Sequence, residues 1–191
     1  MKVIAFNGSP RQNGNTSILI KRVFRKLEEA GIACEMINII EGKGIRGCRA
    51  CGKCYVNKDK RCVMNDDMLN LCIEKMQEAD GIIIGSPTYF AALSAETKAL
   101  IDRAGYVAIV NNNMLRRKVG VAVSAVRRAG SLNVFQAINN FYLISEMIIP
   151  GSIYWNMGVG WEEGGVESDA EGMQIMDKLG ENMAWLLQKL Q

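Results

Sequence analysis

Four cysteines carry the most specific chemical pattern in this chain of 191 residues: Cys48, Cys51, Cys54 and Cys62, spaced C-x2-C-x2-C-x7-C. Three thiols at successive three-residue intervals can wrap one compact polynuclear centre, with a fourth arriving from a short loop, as in iron–sulfur ligation. Gly47 and Gly52 permit tight turns between them, and Lys53, Lys58, Lys60 and Arg61 can offset the negative charge of such a centre. Four thiolates also satisfy a tetrahedral zinc site, although a zinc ribbon brings two separated C-x2-C hairpins and this chain has one compact arm of three. Redox-active thiols without a metal are the remaining alternative. Cys34 and Cys72 read as core thiols, the first on a buried strand and the second on an apolar helix stripe. The chain contains no histidine, which removes Ser-His-Asp and Cys-His catalysis and every His-based zinc site.

A second chemical pattern lies in the stretch GSPRQNGNTS, Gly8 to Ser17, between the apolar run Val3 to Phe6 and a helical pattern beginning near Ile18. A buried strand, a loop of small polar residues and a helix start present backbone N–H groups and a positive dipole end to an anion. Arg11 adds a formal charge, and Ser9, Asn13, Asn15, Thr16 and Ser17 add hydroxyl and amide donors. The nucleotide-hydrolysing pattern G-x-x-x-x-G-K-[ST] is not met, because Asn15 follows Gly14, and the dinucleotide pattern G-x-G-x-x-G is absent. A monophosphate fits better than ATP, GTP or a dinucleotide; an ordinary polar turn is the alternative.

These groups need elements to position them. Ile18, Leu19, Val23, Phe24 and Leu27 recur at helical spacing as far as Gly31, and Cys34 to Ile40 reads as a second strand. Asp66 and Asp67 are placed to cap a second helix, and Gly81 to Gly85 is the unbroken apolar strand of a buried parallel sheet. A helix from about Ser94 to Ala104, a strand Val119 to Val123, a polar turn Ser124 to Leu132 and a helix Asn133 to Glu146 follow. The fifth strand is expected at Met147 to Tyr154, and a capping box of Ser168 and Glu171 to open the last helix. The alternation predicts a three-layer α/β domain with a five-stranded parallel sheet, whose ligands bind at the carboxyl ends of the strands.

That rule brings three loops to one rim: Gly8 to Asn15, Ser86 to Phe90 and Ser124 to Ser131. Pro87, Thr88, Tyr89 and Phe90 supply a stiff turn, donors and aromatic faces for a flat heterocycle, and Ser124, Arg127 and Gly130 offer polar groups and close backbone on the far side. A monophosphate at one end and a flat ring between two loops describe flavin mononucleotide, FMN.

Length and composition bound the rest. One domain is expected across residues 1–191, with the cysteine-rich segment at about 45–65 as an insertion. With 49% hydrophobic residues, 23% charged residues and a formal charge of +3, the chain is neither disordered nor basic enough to indicate nucleic acid. No apolar run approaches a bilayer span and no signal peptide is evident, so a cytoplasmic protein without a membrane partner is expected.

GSPRQNGNTS, SPTYF after the third strand, and CRACGKC with Cys62 together resemble the iron–sulfur flavoprotein family of flavodoxin-like NAD(P)H-dependent FMN reductases, over nearly the whole chain. The resemblance implies a sheet of order 2-1-3-4-5, FMN, and a 4Fe-4S cluster on Cys48, Cys51, Cys54 and Cys62. It places the phosphate on Ser9, Arg11, Asn13, Asn15, Thr16 and Ser17, the isoalloxazine beside Pro87 to Phe90, and Ser124 to Gly130 on its other side. It further implies a homodimer or homotetramer with the flavin at a subunit interface, and electrons arriving from a ferredoxin-like protein or from NAD(P)H. Two other functions compete: an NAD(P)H-dependent FMN or quinone reductase with no occupied cluster, and a non-catalytic flavodoxin-like module with a structural zinc.

Overall fold

The computed structural model describes residues 1–42 and 44–190. Three strands, β1 (Lys2–Asn7), β3 (Gly81–Pro87) and β4 (Val119–Val126), form the middle of the sheet, and their apolar runs are buried because helices cover both faces. The edges are β2 (Ala33–Asn38) and the three-residue β5 (Met157–Val159). All pairs are parallel and the order is β2-β1-β3-β4-β5, as the resemblance implied.

Strand alternation divides the interior into two cores. Ile4, Phe6, Ile82 and Ile84 face α3 (Leu69–Glu78), α4 (Ala95–Val110) and α5 (Ser131–Ile144). Val3, Ala5, Ile83, Val121 and Val123 face α1 (Asn15–Glu29) and the long α6 (Ala170–Lys189). A five-residue helix, α2 (Lys53–Asn57), lies within the cysteine segment that joins β2 to α3.

Three expectations are corrected. The fifth strand does not run from Met147 to Tyr154: only Ile148 bridges to β4, Pro150 has no N–H to continue a ladder, and the chain leaves the edge until Asn156 O accepts from Ser124 N at 3.0 Å. The last helix is capped by Asp169, not Ser168; its carboxylate accepts from Gly172 N at 3.0 Å and from Val159 N at 2.7 Å, and Ser168 sits in a preceding 3-10 turn, Gly165–Ser168. The turn after β4 shortens to Arg127–Gly130, because the strand extends to Val126 and α5 begins at Ser131. Cys72 is fully buried, whereas Cys34 is half-buried because β2 is a sheet edge.

Candidate functional site

The carboxyl ends of β1, β3 and β4 open on one cavity of about 560 Å³. The first loop is shaped by its own side chains: Asn7 Oδ1 accepts from Ser9 N at 3.1 Å, and Ser9 Oγ accepts from Arg11 N at 3.2 Å. Gly8 N donates to Gly85 O at 2.8 Å, and a Cβ on Gly8 would lie 1.8 Å from Thr97 Oγ1, so only glycine lets this loop close on β3. Gly14 caps α1 without any side-chain hydrogen bond, leaving the amides of the first turn without intrahelical acceptors. Beside them, Thr16 Oγ1 is buried without a hydrogen-bond partner.

Ser9, Arg11, Asn15, Thr16, Pro87, Thr88, Tyr89 and Arg127 are gathered on this cavity. Asn15 faces it in part only, since its Nδ2 donates to Gly160 O at 3.2 Å and Glu162 O at 2.9 Å and so ties down a distant loop. Five further residues expected at the site lie off the cavity wall. Asn13 accepts from Lys21 Nζ at 3.3 Å on the outer side of α1, and the Ser17 hydroxyl, one residue around the helix from Thr16, is buried and donates to Gly14 O at 2.9 Å. Ser124 is fully buried and shares a hydrogen bond of 3.1 Å with Thr88 Oγ1, which locks the β3 and β4 loops together. Gly130 precedes α5 at φ +92°, a left-handed conformation suited to glycine. Phe90 is wholly exposed at the tip of a tight turn closed by Tyr89 N to Ala92 O and Ala92 N to Tyr89 O, with φ of +48° at Phe90 and +58° at Ala91.

Sequence reasoning missed Gly160 and Trp161 as part of this wall. The Arg127 guanidinium stacks on the Trp161 ring, 3.2 Å from its centroid. Glu162 and Glu163 complete the rim.

The cysteine arm forms a second cavity, of about 310 Å³, which all four of Cys48, Cys51, Cys54 and Cys62 line. Cys48 and Cys51 are exposed, Cys62 is half-buried and Cys54 is buried. Gly52 at φ +68° turns the chain into α2, Ala50 N donates to Cys48 Sγ at 3.4 Å, and Asn70 brackets Cys62 by accepting from its N at 2.8 Å and donating to its O at 2.9 Å. Behind the cavity lies Arg103 of α4, only 2% exposed. It donates to Cys62 Sγ at 3.4 Å and pairs with Asp67, whose other carboxylate oxygen accepts from Leu69 N, the first amide of α3, at 3.2 Å; of the two expected caps Asp67 thus meets the helix start, whereas Asp66 pairs with Arg46 instead. Burial acts to raise the Asp67 pKa, but the Arg103 guanidinium and the Arg46 amide outweigh it and hold the carboxyl below its ordinary value. Among the described residues no three His, Cys, Asp or Glu side chains are arranged to hold a metal ion, and no helix is long and apolar enough to cross a membrane.

A family model described as NADPH-dependent FMN reductase matches residues 1–162. An iron–sulfur flavoprotein of Methanocaldococcus jannaschii is 39% identical, with 96% of each chain covered. An iron–sulfur flavoprotein of Methanosarcina thermophila is 32% identical, over 100% of this chain and 97% of its own. Among solved structures, RosB with bound 8-demethyl-8-formylriboflavin-5'-phosphate superposes with a TM-score of 0.78 at 16% identity, covering 100% of this chain and 80% of RosB. A WrbA-like flavodoxin from Agrobacterium tumefaciens gives 0.68 at 14% identity, with 100% and 99% covered. The structural likenesses establish a flavodoxin-like fold; the sequence matches go further, and the chain belongs to the NADPH-dependent FMN reductase family, as a flavin-dependent oxidoreductase akin to the iron–sulfur flavoproteins.

Proposed function

We propose that this protein is an electron-transfer iron–sulfur flavoprotein, holding FMN in the rim cavity and a 4Fe-4S cluster in the cysteine arm, and that it connects a low-potential one-electron protein donor of the ferredoxin kind to a two-electron acceptor. The observation that carries this reading is the sharing of one 310 Å³ cavity by all four cysteines on an FMN reductase scaffold. A lone zinc needs four sulfurs within about 2.3 Å of one point; among the described residues no three ligating side chains are drawn together in that way, whereas all four thiols line one cavity. The backbone N–H to Cys48 and the Arg103 N–H to Cys62 are the sulfur-directed hydrogen bonds that stabilise ligating thiolates.

The fit to FMN rests on the first loop. Thr16 Oγ1 and the uncapped amides of α1 are donors in want of an anion, and Arg11 stands on the same wall. Pro87, Thr88 and Tyr89 would line the ring, with Arg127 on Trp161 at the opposite side. Bound FMN would exchange electrons in pairs or singly, and the cluster singly. The protein's part is to bind and orient both and to set the electrostatics around them, so no side chain serves as nucleophile. Exposed Trp161 on the cavity wall, with exposed Ile153, Tyr154 and Trp155 elsewhere on the surface, offer apolar area through which a homodimer or homotetramer would form.

The test is an absorption spectrum with iron and sulfide analysis on anaerobically purified protein. Flavin bands, a broad shoulder and about four irons per chain support the reading, as does faster flavin reduction by a reduced ferredoxin than by NADPH. Flavin without iron, with rapid bleaching by NADPH, would replace it with a plain NADPH-dependent FMN or quinone reductase, the reading that the family description favours.

A further inference from the structure

Helix α4 carries one charged residue on its apolar stripe. Leu100, Arg103, Ala104 and Val107 follow one another at helical spacing, and the Arg103 side chain is 1% exposed. A buried guanidinium is costly to desolvate and persists where its donors are paired. Here the partners all belong to the segment that bears the cysteines. Nη1 donates to Arg46 O at 2.9 Å and to the Asp67 carboxylate; Nη2 donates to Met64 O at 3.1 Å and to Cys62 Sγ at 3.4 Å. Arg46 stands two residues before the first cysteine and Met64 two residues after the last. One rigid fork therefore ties together the limb entering the arm and the limb leaving it, and fixes both to α4. Nε of Arg103 is buried without a partner, on a residue that lines the cavity.

We propose that Arg103 is the positioning residue of the cysteine arm. Its guanidinium closes the arm into the loop that presents four thiols to one cavity, and its charge and N–H···S bond make the bound cluster easier to reduce. Asp67 sets the strength of that effect by neutralising part of the charge. The inference rests on the reading that the four cysteines hold a cluster, and it concerns how this chain prepares the site for it. Planarity matters as well as charge: a lysine keeps the charge but has no fork to reach both limbs, Asp67 and Cys62 together.

The test compares the whole protein with Arg103→Gln, Arg103→Lys and Asp67→Asn. Three quantities are read: iron loss to a chelator, cluster reduction potential, and the rate of tryptic cleavage at the exposed Lys58, Lys60 and Arg61. Retained FMN and an unchanged circular dichroism spectrum show that the fold persists. For Arg103→Gln, iron loss should quicken about 10- to 100-fold, as for other residues that orient metal ligands, with a lower potential and faster cleavage of the arm. Arg103→Lys should also be cleaved faster, with a smaller fall in potential. Asp67→Asn should move the potential upward, because the guanidinium charge is then unopposed. Breaking a buried pair is destabilising, so the joint replacement Arg103→Met with Asp67→Leu removes both charges together; it is expected to fold and to lose iron as Arg103→Gln does. Unchanged iron retention and potential in Arg103→Gln would overturn the inference. So would shifts of the same sign in Arg103→Gln and Asp67→Asn, which mark general loosening. A parent protein without iron refutes the cluster reading instead, and cleavage of the arm then decides the clip alone: an unchanged rate in Arg103→Gln overturns it.

Discussion

Replacing Thr16 by valine should have opposite effects on the ligand-free protein and on FMN binding. Thr16 is 1% exposed on the second residue of α1, and its Oγ1 is buried without a hydrogen-bond partner while lining the rim cavity. A buried hydroxyl left unpaired costs about 1–3 kcal/mol, and valine keeps the branched shape that packs against Gly85. Thr16→Val should therefore raise the melting temperature of flavin-free protein, by about 2–4 °C for each kcal/mol relieved in a chain of this size. With FMN bound, the same hydroxyl gains a phosphate oxygen, and a hydrogen bond to a charged group is worth about 1.5–3 kcal/mol. Losing it should weaken the FMN dissociation constant about tenfold to a hundredfold. Flavin-fluorescence titration of the apoprotein measures this, and riboflavin, which lacks the phosphate, is the internal control. If the reasoning holds, riboflavin affinity stays the same while FMN affinity falls. Equal losses for both ligands, or an unchanged FMN affinity, would refute the placement of the phosphate at the start of α1.

Cys51→Ala should abolish the cluster absorbance and leave FMN bound, because the two cavities share no lining residue; simultaneous loss of FMN would show that they depend on each other. Tyr142→Phe removes a fully buried hydroxyl that donates to Val121 O at 2.9 Å, and urea unfolding should show a loss of about 1 kcal/mol, since a carbonyl in a sheet ladder retains another donor. Asp177 of α6 pairs with Arg22 at 2.6 Å and with Arg25 at 2.9 Å on α1. Burial acts to raise its pKa, but the two guanidiniums outweigh that and hold it below its ordinary value, so its contribution to stability is full above the unfolded value of about 3.9 and is lost as pH falls through the lower folded value. Asp177→Asn should cost about 1 kcal/mol or less at neutral pH, given the partial exposure of the pair, and thermal melts of the two proteins should converge below pH 4 or so.

What could be read from the sequence was what local pattern controls. The runs at Val3 to Phe6, Gly81 to Gly85 and Val119 to Val123 are apolar throughout because a central parallel strand is covered on both faces, and they identify themselves. The cysteine spacing is likewise local. The fifth strand was not legible, since its three residues lie in a glycine-rich stretch while the more apolar Met147 to Tyr154 is interrupted by Pro150. At the rim, Thr16 and Ser17 are chemically similar, and helix rotation alone puts one on the cavity and turns the other inward. Trp161 reaches the cavity because Asn15 binds Gly160 O and Glu162 O across some 145 residues of sequence, a contact that no local window reveals. Arg103 did leave a trace, as a charge among Leu100, Ala104 and Val107, but its partners could be named only once α4 lay beneath the cysteine arm.

Helix α6 supplies Ile175, Met176, Leu179, Met183 and Leu187 to the core that also holds Val3, Ala5, Ile83 and Val121. On a ribosome these strand residues emerge well before α6 does, so one side of the sheet is only half roofed, by α1, until α6 has been made. The native contacts that finish this face are among the most distant in the sequence, the kind that form slowly. A nascent chain at that stage presents a wet apolar surface, open to chaperones and to other nascent copies. Translation speed over residues 127–170 thus sets how long that surface stays bare, and slow codons there should lower the yield of folded protein without altering a single side chain.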